Sequence, residues 1–207
     1  KSWDYYNHTD SLGASVFEAL WNSYYGMVWD ELKDSELALH LPDSYQTISL
    51  TKSDPDHLFF DLQSTTETES AAELARLAFI QATTQLDEWV KTGNSLDWAT
   101  YKGTYAGHLL QALPAFSKFD IPIGGNRSIV NATSKNHGPS WRMIVELGEE
   151  TTAIGVYPGG QSGNPGSRYY DSMIDTWAKG EYYELLFMPN KQPQSQISFT
   201  TELTPAP

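Results

Sequence analysis

Apolar residues recur at intervals of about four positions along two stretches in the first half of the chain, which predicts two amphipathic helices. The first helix is expected over residues 11–32, capped by Asp10 or Ser11. Gly26 is its expected weak point, because glycine is a poor helix former. The residues predicted to face the core are Leu12, Val16, Leu20, Tyr24 and Val28.

The second helix has the best-defined ends. Ser70 and Glu73 have the spacing of a capping box, in which each side chain accepts a hydrogen bond from the backbone amide of the other residue. Gly93 is a candidate left-handed stop. The residues predicted to form the buried face are Leu74, Ala78, Ala82, Leu86 and Val90.

Residues 33–68 do not show the four-residue spacing of apolar positions that predicts the two helices. Prolines and clusters of Ser, Thr and Asp predict irregular segments there, with short helical turns near Leu37 and Leu58. The tetrapeptide from Ser53 to Asp56 is typical of an exposed turn. Its two carboxylates could hold a calcium ion, but the spaced ligands of an EF-hand loop are absent, so a solvated loop is favoured.

After Gly93 the apolar period shortens to two, which is typical of strands. The predicted elements are strands over 127–133, 141–147 and 151–157, a helix over 169–179 ended by Gly180, and an edge strand over 194–203. The strands at 141–147 and 151–157 are expected to form an antiparallel hairpin, with one face of the first strand buried. Helices followed by a small antiparallel sheet and one more helix predict an α+β fold.

We predict that residues 1–207 form a single region, with 1–93 mainly helical and 94–207 mainly β with one helix.

The composition of the chain narrows the classes of function that it can have. With 26 acidic and 13 basic residues, the net charge of −13 argues against binding to nucleic acid or to anionic lipid. The lack of cysteine excludes disulfides, thiolate nucleophiles and Cys-ligated metals.

The residues do not assemble an obvious active site. Ser162 lies in a Gly-Gln-Ser-Gly-Asn run that differs from the nucleophile elbow, because the closing glycine comes one place early. The five histidines stand far apart and lack the spacing of metal ligands on a helix. His137, followed by Gly-Pro, is the most interesting of them, although a structural role in a turn is favoured. We predict no catalytic residue and no metal ligand in this chain.

Three sequence blocks carry a resemblance to a known family. They are GGNRSIVNA at 124–132, HGPSWRM at 137–143, and GGQSGNPGS at 159–167 with the following YYD and WAKGEY. In order and spacing, over about sixty residues, they resemble the carboxyl-terminal part of the penicillin acylase (penicillin amidase) family. Trp98-x-x-Tyr101-x-Gly103 and the Trp29-Asp-Glu-Leu run agree more loosely.

The resemblance implies an amino-terminal-nucleophile (Ntn) hydrolase, with two antiparallel sheets between helical layers. In that family a precursor cuts itself, and the new amino-terminal serine of the larger chain attacks a linear amide with its own α-amino group as the base. A backbone amide and an asparagine side chain stabilise the oxyanion. The resemblance further implies a periplasmic or secreted protein.

This chain begins with Lys1 instead of that serine, and its blocks belong to the family's carboxyl-terminal end. The resemblance therefore implies the last part of the larger (β) subunit, inactive alone, with the nucleophile and any calcium ligands upstream. The expected partners are the rest of the precursor, an amide substrate in the intact enzyme (such as an acylated β-lactam or an N-acyl homoserine lactone) and a second copy of the fragment. His137 and Arg142 are the candidates for substrate binding, beside a structural role for both.

Two other functions stay open. The 7 Trp, 12 Tyr and 8 Phe in an acidic chain could form stacking platforms for sugar rings, as in a non-catalytic extracytoplasmic binding module. Most of these aromatic residues, however, fall at positions expected to be in the core. The chain could also be a scaffold with no chemistry of its own, because fold does not determine function.

Overall fold

The structure is a computed structural model that describes residues 3–33, 39–110, 112–130, 132–186 and 201–205. The chain divides into two compact units, residues 1–138 and residues 139–207. The first unit is built on helices and the second on a small antiparallel sheet, which confirms the α+β class. In the described residues, no helix is both long enough and apolar enough to cross a membrane.

The first predicted helix forms as two helices. Helix α1 spans Leu12–Val28 and helix α2 spans Asp30–Lys33. The hydroxyl of Ser11 caps α1 by accepting a hydrogen bond from the backbone amide of Ala14. The break comes at Trp29, not at Gly26, because the buried Trp29 side chain is anchored outside the helix and donates a hydrogen bond to Thr47 Oγ1 at 3.0 Å.

The face that α1 buries differs from the prediction over its first half. Leu12 and Val16 are exposed, whereas Ala14, Ser15 and Ala19 are buried. The prediction is right for Tyr24 and Val28. The buried side chains in the first half of α1 are small, which lets α1 approach a neighbouring helix closely, and a search for large apolar residues overlooks such a face.

Two helices in the first unit were not predicted, at Ser44–Ser53 and at Trp98–Lys102. Helix α3 spans Ser44–Ser53 and begins with a capping box, in which Asp43 and Gln46 exchange backbone-to-side-chain hydrogen bonds of 2.8 Å. Thr47 is its single buried residue, so α3 has no apolar period to detect. A 3₁₀ helix at Leu58–Phe60 confirms the turn expected near Leu58. Leu37 lies outside the described residues.

Helix α4 spans Ala71–Lys91 and confirms the prediction at both ends. Ser70 and Glu73 form the expected capping box, and Gly93 has a φ of +87°. Four of the five predicted core positions are buried, while Val90 near the end is exposed. The main core of this unit, where α4 packs on α1, consists of Tyr24, Val28, Trp29, Phe60, Ala71, Leu74 and Ala78.

The rest of the first unit is mostly loop around a short helix. Helix α5 spans Trp98–Lys102 and ends at Gly103, which has a φ of +60°. A 3₁₀ helix follows at Pro114–Phe116. The strand predicted over 127–133 is wrong for the described residues, which form turns there. The Asn126 side chain accepts a hydrogen bond from the Ser128 amide at 2.8 Å, and this local bond favours a turn over a strand.

The second unit contains a three-stranded antiparallel sheet in the order β1-β2-β3, with β1 at Arg142–Leu147, β2 at Thr151–Val156 and β3 at Tyr183–Leu185. The predicted hairpin is confirmed, and Ile144 pairs with Ile154. Helix α6, at Ile174–Lys179, begins later than predicted, because the residues before it form a series of turns. Gly180 ends it as expected, and most of the edge strand predicted at 194–203 lies outside the described residues.

The prediction that one face of β1 is buried is wrong. Met143 is 53%, Ile144 54% and Leu147 86% exposed. Because successive side chains of a strand point to opposite sides, these residues place apolar surface on both faces of β1. β1 is also at an edge of this sheet, since only β2 pairs with it among the described residues.

Candidate functional site

A cleft of about 500 Å³ opens in the first unit. It lies between α1, the end of α4, α5 and the loop at 124–135. Its lining combines aromatic rings with amides and charges of both signs: Glu18, Asn22, Trp89, Trp98, Tyr101, Lys102, Asn126, Arg127, Thr133, Ser134 and Lys135.

Lys102, the last residue of α5, makes the densest set of contacts in this cleft. Its ammonium group donates hydrogen bonds to the carbonyl oxygen of Gly124 at 2.7 Å, to that of Gly125 at 3.2 Å and to Thr133 Oγ1 at 3.0 Å. The same ammonium lies 5.7 Å from the centre of the Trp98 ring. Three oxygen acceptors therefore use all three donors of the group.

No carboxylate within the described part of the chain approaches the Lys102 ammonium to 4.0 Å. Burial lowers the pKa of Lys102 to about 8, because a desolvated ammonium loses the hydration that stabilises its charge. Lysines with a depressed pKa beside a cleft are frequent at functional sites, although structural networks also produce them.

The opposite side of the cleft carries an acid. Glu18 on α1 accepts a hydrogen bond from Asn22 at 3.3 Å and lies 3.7 Å from the Arg127 guanidinium. Burial and the charge of Glu18 raise the pKa of the Tyr101 hydroxyl. Glu18 and Arg127 thus form an ion pair within the lining of the cleft, beside its aromatic side chains.

The aromatic side chains are fixed by the protein itself. Trp98 is 4% exposed, and its indole nitrogen donates to the Gly125 carbonyl at 2.7 Å. Trp89 donates to the Ser95 carbonyl at 2.8 Å, and its ring meets Tyr101 edge to face at 5.5 Å. These contacts leave the cleft with rigid walls.

The hydroxyl nearest to Lys102 already makes two hydrogen bonds within the protein. Thr133 Oγ1 is hydrogen-bonded to the Gly124 carbonyl at 2.8 Å and to Lys102, and no histidine is among the described residues that line the cleft. Hydroxyl nucleophiles need an adjacent general base to react at neutral pH. The arrangement can bind or support a neighbouring group.

Comparison with known proteins identifies the family of this chain. The family model described as penicillin amidase matches residues 1–194. The chain belongs to the penicillin amidase family. The resemblance of the three sequence blocks is therefore confirmed, and all three lie within the matched residues.

Curated relatives of this family member are named acyl-homoserine lactone acylase QuiP. The protein of this name from Pseudomonas aeruginosa (strain PAO1) is 34% identical over 128 residues, which is 58% of this chain and 15% of the relative. The one from Pseudomonas fluorescens (strain Pf0-1) is 35% identical over 95 residues, or 42% of this chain and 11% of the relative. These alignments thus span only a small part of the relatives' length.

The two candidate substrate-binding residues belong to different units of this penicillin amidase family member. His137 is exposed in the first unit, and its backbone carbonyl accepts from the Ser134 amide at 2.8 Å, as a turn residue would. Arg142 begins β1 in the second unit. Neither residue lines the Lys102 cleft.

Arg142 contacts two aromatic rings and a backbone carbonyl. Its guanidinium lies 5.5 Å from the ring centres of both Trp177 and Tyr182 and donates to the Trp177 carbonyl. Burial lowers its pKa. Its Nε is buried without a hydrogen-bond partner among the described residues.

Ser162 is held in a turn. Its hydroxyl accepts from the Asn164 amide at 3.2 Å, and the residues after it form further turns before α6 begins. A nucleophile elbow needs a strand leading in and a helix leading out, so this serine does not have that geometry.

The described part of the chain contains no group of three or more acidic or histidine side chains that could hold a metal ion. Asp54 and Asp56 flank Pro55 in the expected exposed turn.

Sequence reasoning missed Lys102 and Glu18 as members of one site. The only local signal was the Trp98-x-x-Tyr101-x-Gly103 run, whose aromatic residues flank the lysine. The acceptors of Lys102 lie 22 to 31 residues further along the chain, and no spacing rule connects them.

Proposed function

We propose that this chain forms a structural part of an amidohydrolase that cleaves the linear amide bonds of N-acyl compounds. The observation that carries the proposal is the penicillin amidase match over residues 1–194. The names of the relatives, which are acyl-homoserine lactone acylases, support the same class of bond. Fold alone does not assign an activity, so the proposal rests on membership of the family.

In this proposal the catalytic serine and its α-amino group lie outside these 207 residues, and the chain alone is inactive. Two observations support this part. The alignment with the relative from P. aeruginosa covers 15% of that protein. Ser162 lies in a turn and lacks the geometry of a nucleophile elbow. Ntn chemistry, and a periplasmic or secreted location, remain parts of the proposal.

The exposure of β1 supports a place within a larger molecule. Strands with apolar side chains on both faces are typical of sheets that are covered on both sides. Met143 and Ile144 are each more than half exposed on opposite faces. We therefore propose that the remainder of the acylase covers this sheet, as in the two-sheet sandwich that the resemblance implies.

The relatives' names favour N-acyl homoserine lactones as substrates of the intact protein. The family description makes N-acylated β-lactams the second substrate class. In both cases water would add to the amide carbonyl, the C–N bond would break, and a free amine and a carboxylic acid would leave.

The test compares the purified 207-residue chain with the complete precursor expressed from its gene. Each is incubated with an N-acyl homoserine lactone and with an N-acyl penicillin, and the released amines are quantified by mass spectrometry. We expect no release by the chain alone, and release by the precursor with faster cleavage of the homoserine lactone. A turnover by the chain alone would refute its structural role, and a precursor inert toward every acyl amide would refute the amidohydrolase.

The aromatic lining of the cleft bears on the alternative of a carbohydrate-binding module. Sugar stacking needs an open ring face, whereas Trp98 is buried and Trp89 packs on Tyr101. The geometry of these rings favours a structural role, which agrees with the amidohydrolase proposal.

A further inference from the structure

The Lys102 cleft gathers positive charge within a strongly acidic chain. Its lining contains three of the chain's 13 basic side chains, which are Lys102, Arg127 and Lys135. Of the 26 acidic side chains, only Glu18 is among the described residues that line it. Because a cleft lined mainly by one sign of charge concentrates ions of the opposite sign, this cleft favours an anion.

The charge of Lys102 is not neutralised by a counter-ion. Its ammonium donates to neutral acceptors, two backbone carbonyls and the Thr133 hydroxyl, and no carboxylate of the described residues lies within 4.0 Å of it. Burial lowers its pKa to about 8, so the group is still mainly protonated at pH 7. An anion that enters the cleft would stabilise this partly buried charge.

Two other cations in the lining have donors to offer to such an anion. The exposed Arg127 guanidinium lies 3.7 Å from the Glu18 carboxylate, which is too far for a hydrogen bond. Lys135 is exposed, and no ion pair among the described residues uses its ammonium. The Asn126 side-chain oxygen accepts from the Ser128 amide, while its NH₂ group has no partner in that part of the chain.

We propose that this cleft binds an organic monocarboxylate. Arg127 and Lys135 hold the carboxylate group, in the field of the Lys102 charge. The apolar part of the ligand lies against the rings of Trp89 and Tyr101. The volume of about 500 Å³ is in the range of sites for small organic molecules. This inference does not rest on the proposed acylase function, because it concerns binding and no cleavage.

The charges in the lining favour a carboxylate over a phosphate. The guanidinium of Arg127 matches either group in geometry. Glu18, however, lies close to that guanidinium and repels a second negative charge on the ligand. A singly charged group therefore binds with less repulsion than a doubly charged one.

The aromatic walls are in place before a ligand arrives. Trp89 and Tyr101 are both half-buried and meet edge to face at 5.5 Å. The indole nitrogen of Trp89 is tied to the Ser95 carbonyl at 2.8 Å. Because these side chains are already ordered, binding costs little of their conformational freedom.

Titration of the 207-residue chain at pH 7 and constant ionic strength, followed by tryptophan fluorescence, tests the proposal. The probes are 3-phenylpropanoate, its neutral amide 3-phenylpropanamide, and phenyl phosphate. We expect the carboxylate to bind with a dissociation constant of about 5 mM or below, and the other two to bind at least about tenfold more weakly. The acid and the amide share their apolar part, so the difference between them measures the contribution of the charge.

Four variants locate the ligand. Arg127→Gln and Lys135→Gln should each weaken carboxylate binding about tenfold, the size expected for losing a hydrogen bond to a charged group. Lys52→Gln is the matched control, because this exposed lysine lies outside the lining of the cleft, and it should change the affinity less than about twofold. Glu18→Gln should strengthen binding about threefold, since it removes a like charge from the cleft.

Equal binding of the acid and its amide would overturn the proposal, because the chain would then recognise the apolar part alone. Phenyl phosphate that binds as tightly as the carboxylate would overturn the choice of a monocarboxylate. Effects of Arg127→Gln and Lys135→Gln no larger than that of Lys52→Gln would place the ligand outside this cleft and refute the site. Carboxylate binding weaker than the expected limit would refute it as well.

Discussion

At the scale of single residues, the glycine-rich segment at 159–167 shows how closely packed backbone can require a glycine. A Cβ on Gly160 would lie 1.9 Å from the carbonyl oxygen of Tyr169, which is far inside contact distance. Gly163, three positions on, has nothing within 4 Å of its Cβ position. Both have negative φ, so the two glycines differ in available space and not in handedness.

We expect Gly160→Ala to destabilise the chain by about 2 kcal/mol or more, because the added methyl group forces backbone apart. Gly163→Ala is the matched control and should change stability by less than about 0.5 kcal/mol. Urea unfolding of both variants, followed by circular dichroism, measures the difference. Equal stability of the two would show that Tyr169 does not approach Gly160 closely.

Lys102 shows why the candidate site could not be found from the sequence. Its hydrogen-bond acceptors are two backbone carbonyls and a threonine, which are residue types that carry no catalytic signature. Sequence reasoning singled out His137 and Arg142, which both lie in the HGPSWRM block that carries the family resemblance. The structure places these two residues in different units.

At the scale of elements, the ends of α4 are encoded locally. The Ser70 hydroxyl accepts from the Glu73 amide at 3.4 Å, and the Glu73 carboxylate accepts from the Ser70 amide at 2.8 Å. The hydrogen bonds that the Ser70 amide and hydroxyl donate to the Glu73 carboxylate, both 2.8 Å, lower the pKa of Glu73. Such a signal lies within four residues, which is why the sequence predicts it well.

We expect Ser70→Ala to lower the free energy of unfolding by about 1 kcal/mol, because it removes the cap from the longest helix. Thr66→Ala, in the exposed loop just before, is the control and should have little effect. Thermal unfolding at pH 7 measures both variants. Equal melting temperatures for the two variants would contradict the role of the cap.

The elements that could not be predicted depend on the rest of the fold. The buried face at the start of α1 consists of alanine and serine, whose value lies in close helix packing and not in hydrophobicity. Helix α3 is mostly exposed and is recognisable only by its Asp43–Gln46 cap. The strand predicted at 127–133 does not form in the described residues, because the hydrogen bond from the Ser128 amide to the Asn126 side chain favours a turn there.

At the scale of the whole molecule, the exposed sheet is the feature that most needs a partner. Unpaired edges and exposed apolar faces promote association between chains. We expect the isolated chain to self-associate through β1, with an apparent mass that rises with concentration in light scattering.

Ile144→Lys should reduce this association, because it places a charge on the exposed face of β1. Val90→Lys is the control, since it replaces an equally apolar, half-exposed residue on α4 in the other unit. A monodisperse monomer at high concentration would contradict the prediction, as would an equal effect of both substitutions.

At this scale the sequence predicted the family and the α+β class correctly, but not the exposure of β1. Three blocks with fixed order and spacing were enough for the family, and the α+β class followed from the change in apolar period. The burial of β1 was predicted wrongly, because its alternation was interpreted within these 207 residues alone. In the proposed larger molecule the same apolar residues would be buried on both sides.

The most direct test of the central claim is complementation between separately produced parts. The remainder of the precursor, expressed without residues 1–207, is mixed during refolding with this chain, and cleavage of an N-acyl homoserine lactone is followed by release of the free amine. The account predicts that neither part is active alone and that the mixture regains cleavage, less so with Gly160→Ala than with Gly163→Ala. A remainder that is fully active without this chain, or a mixture in which both parts fold without regaining activity, would contradict the account.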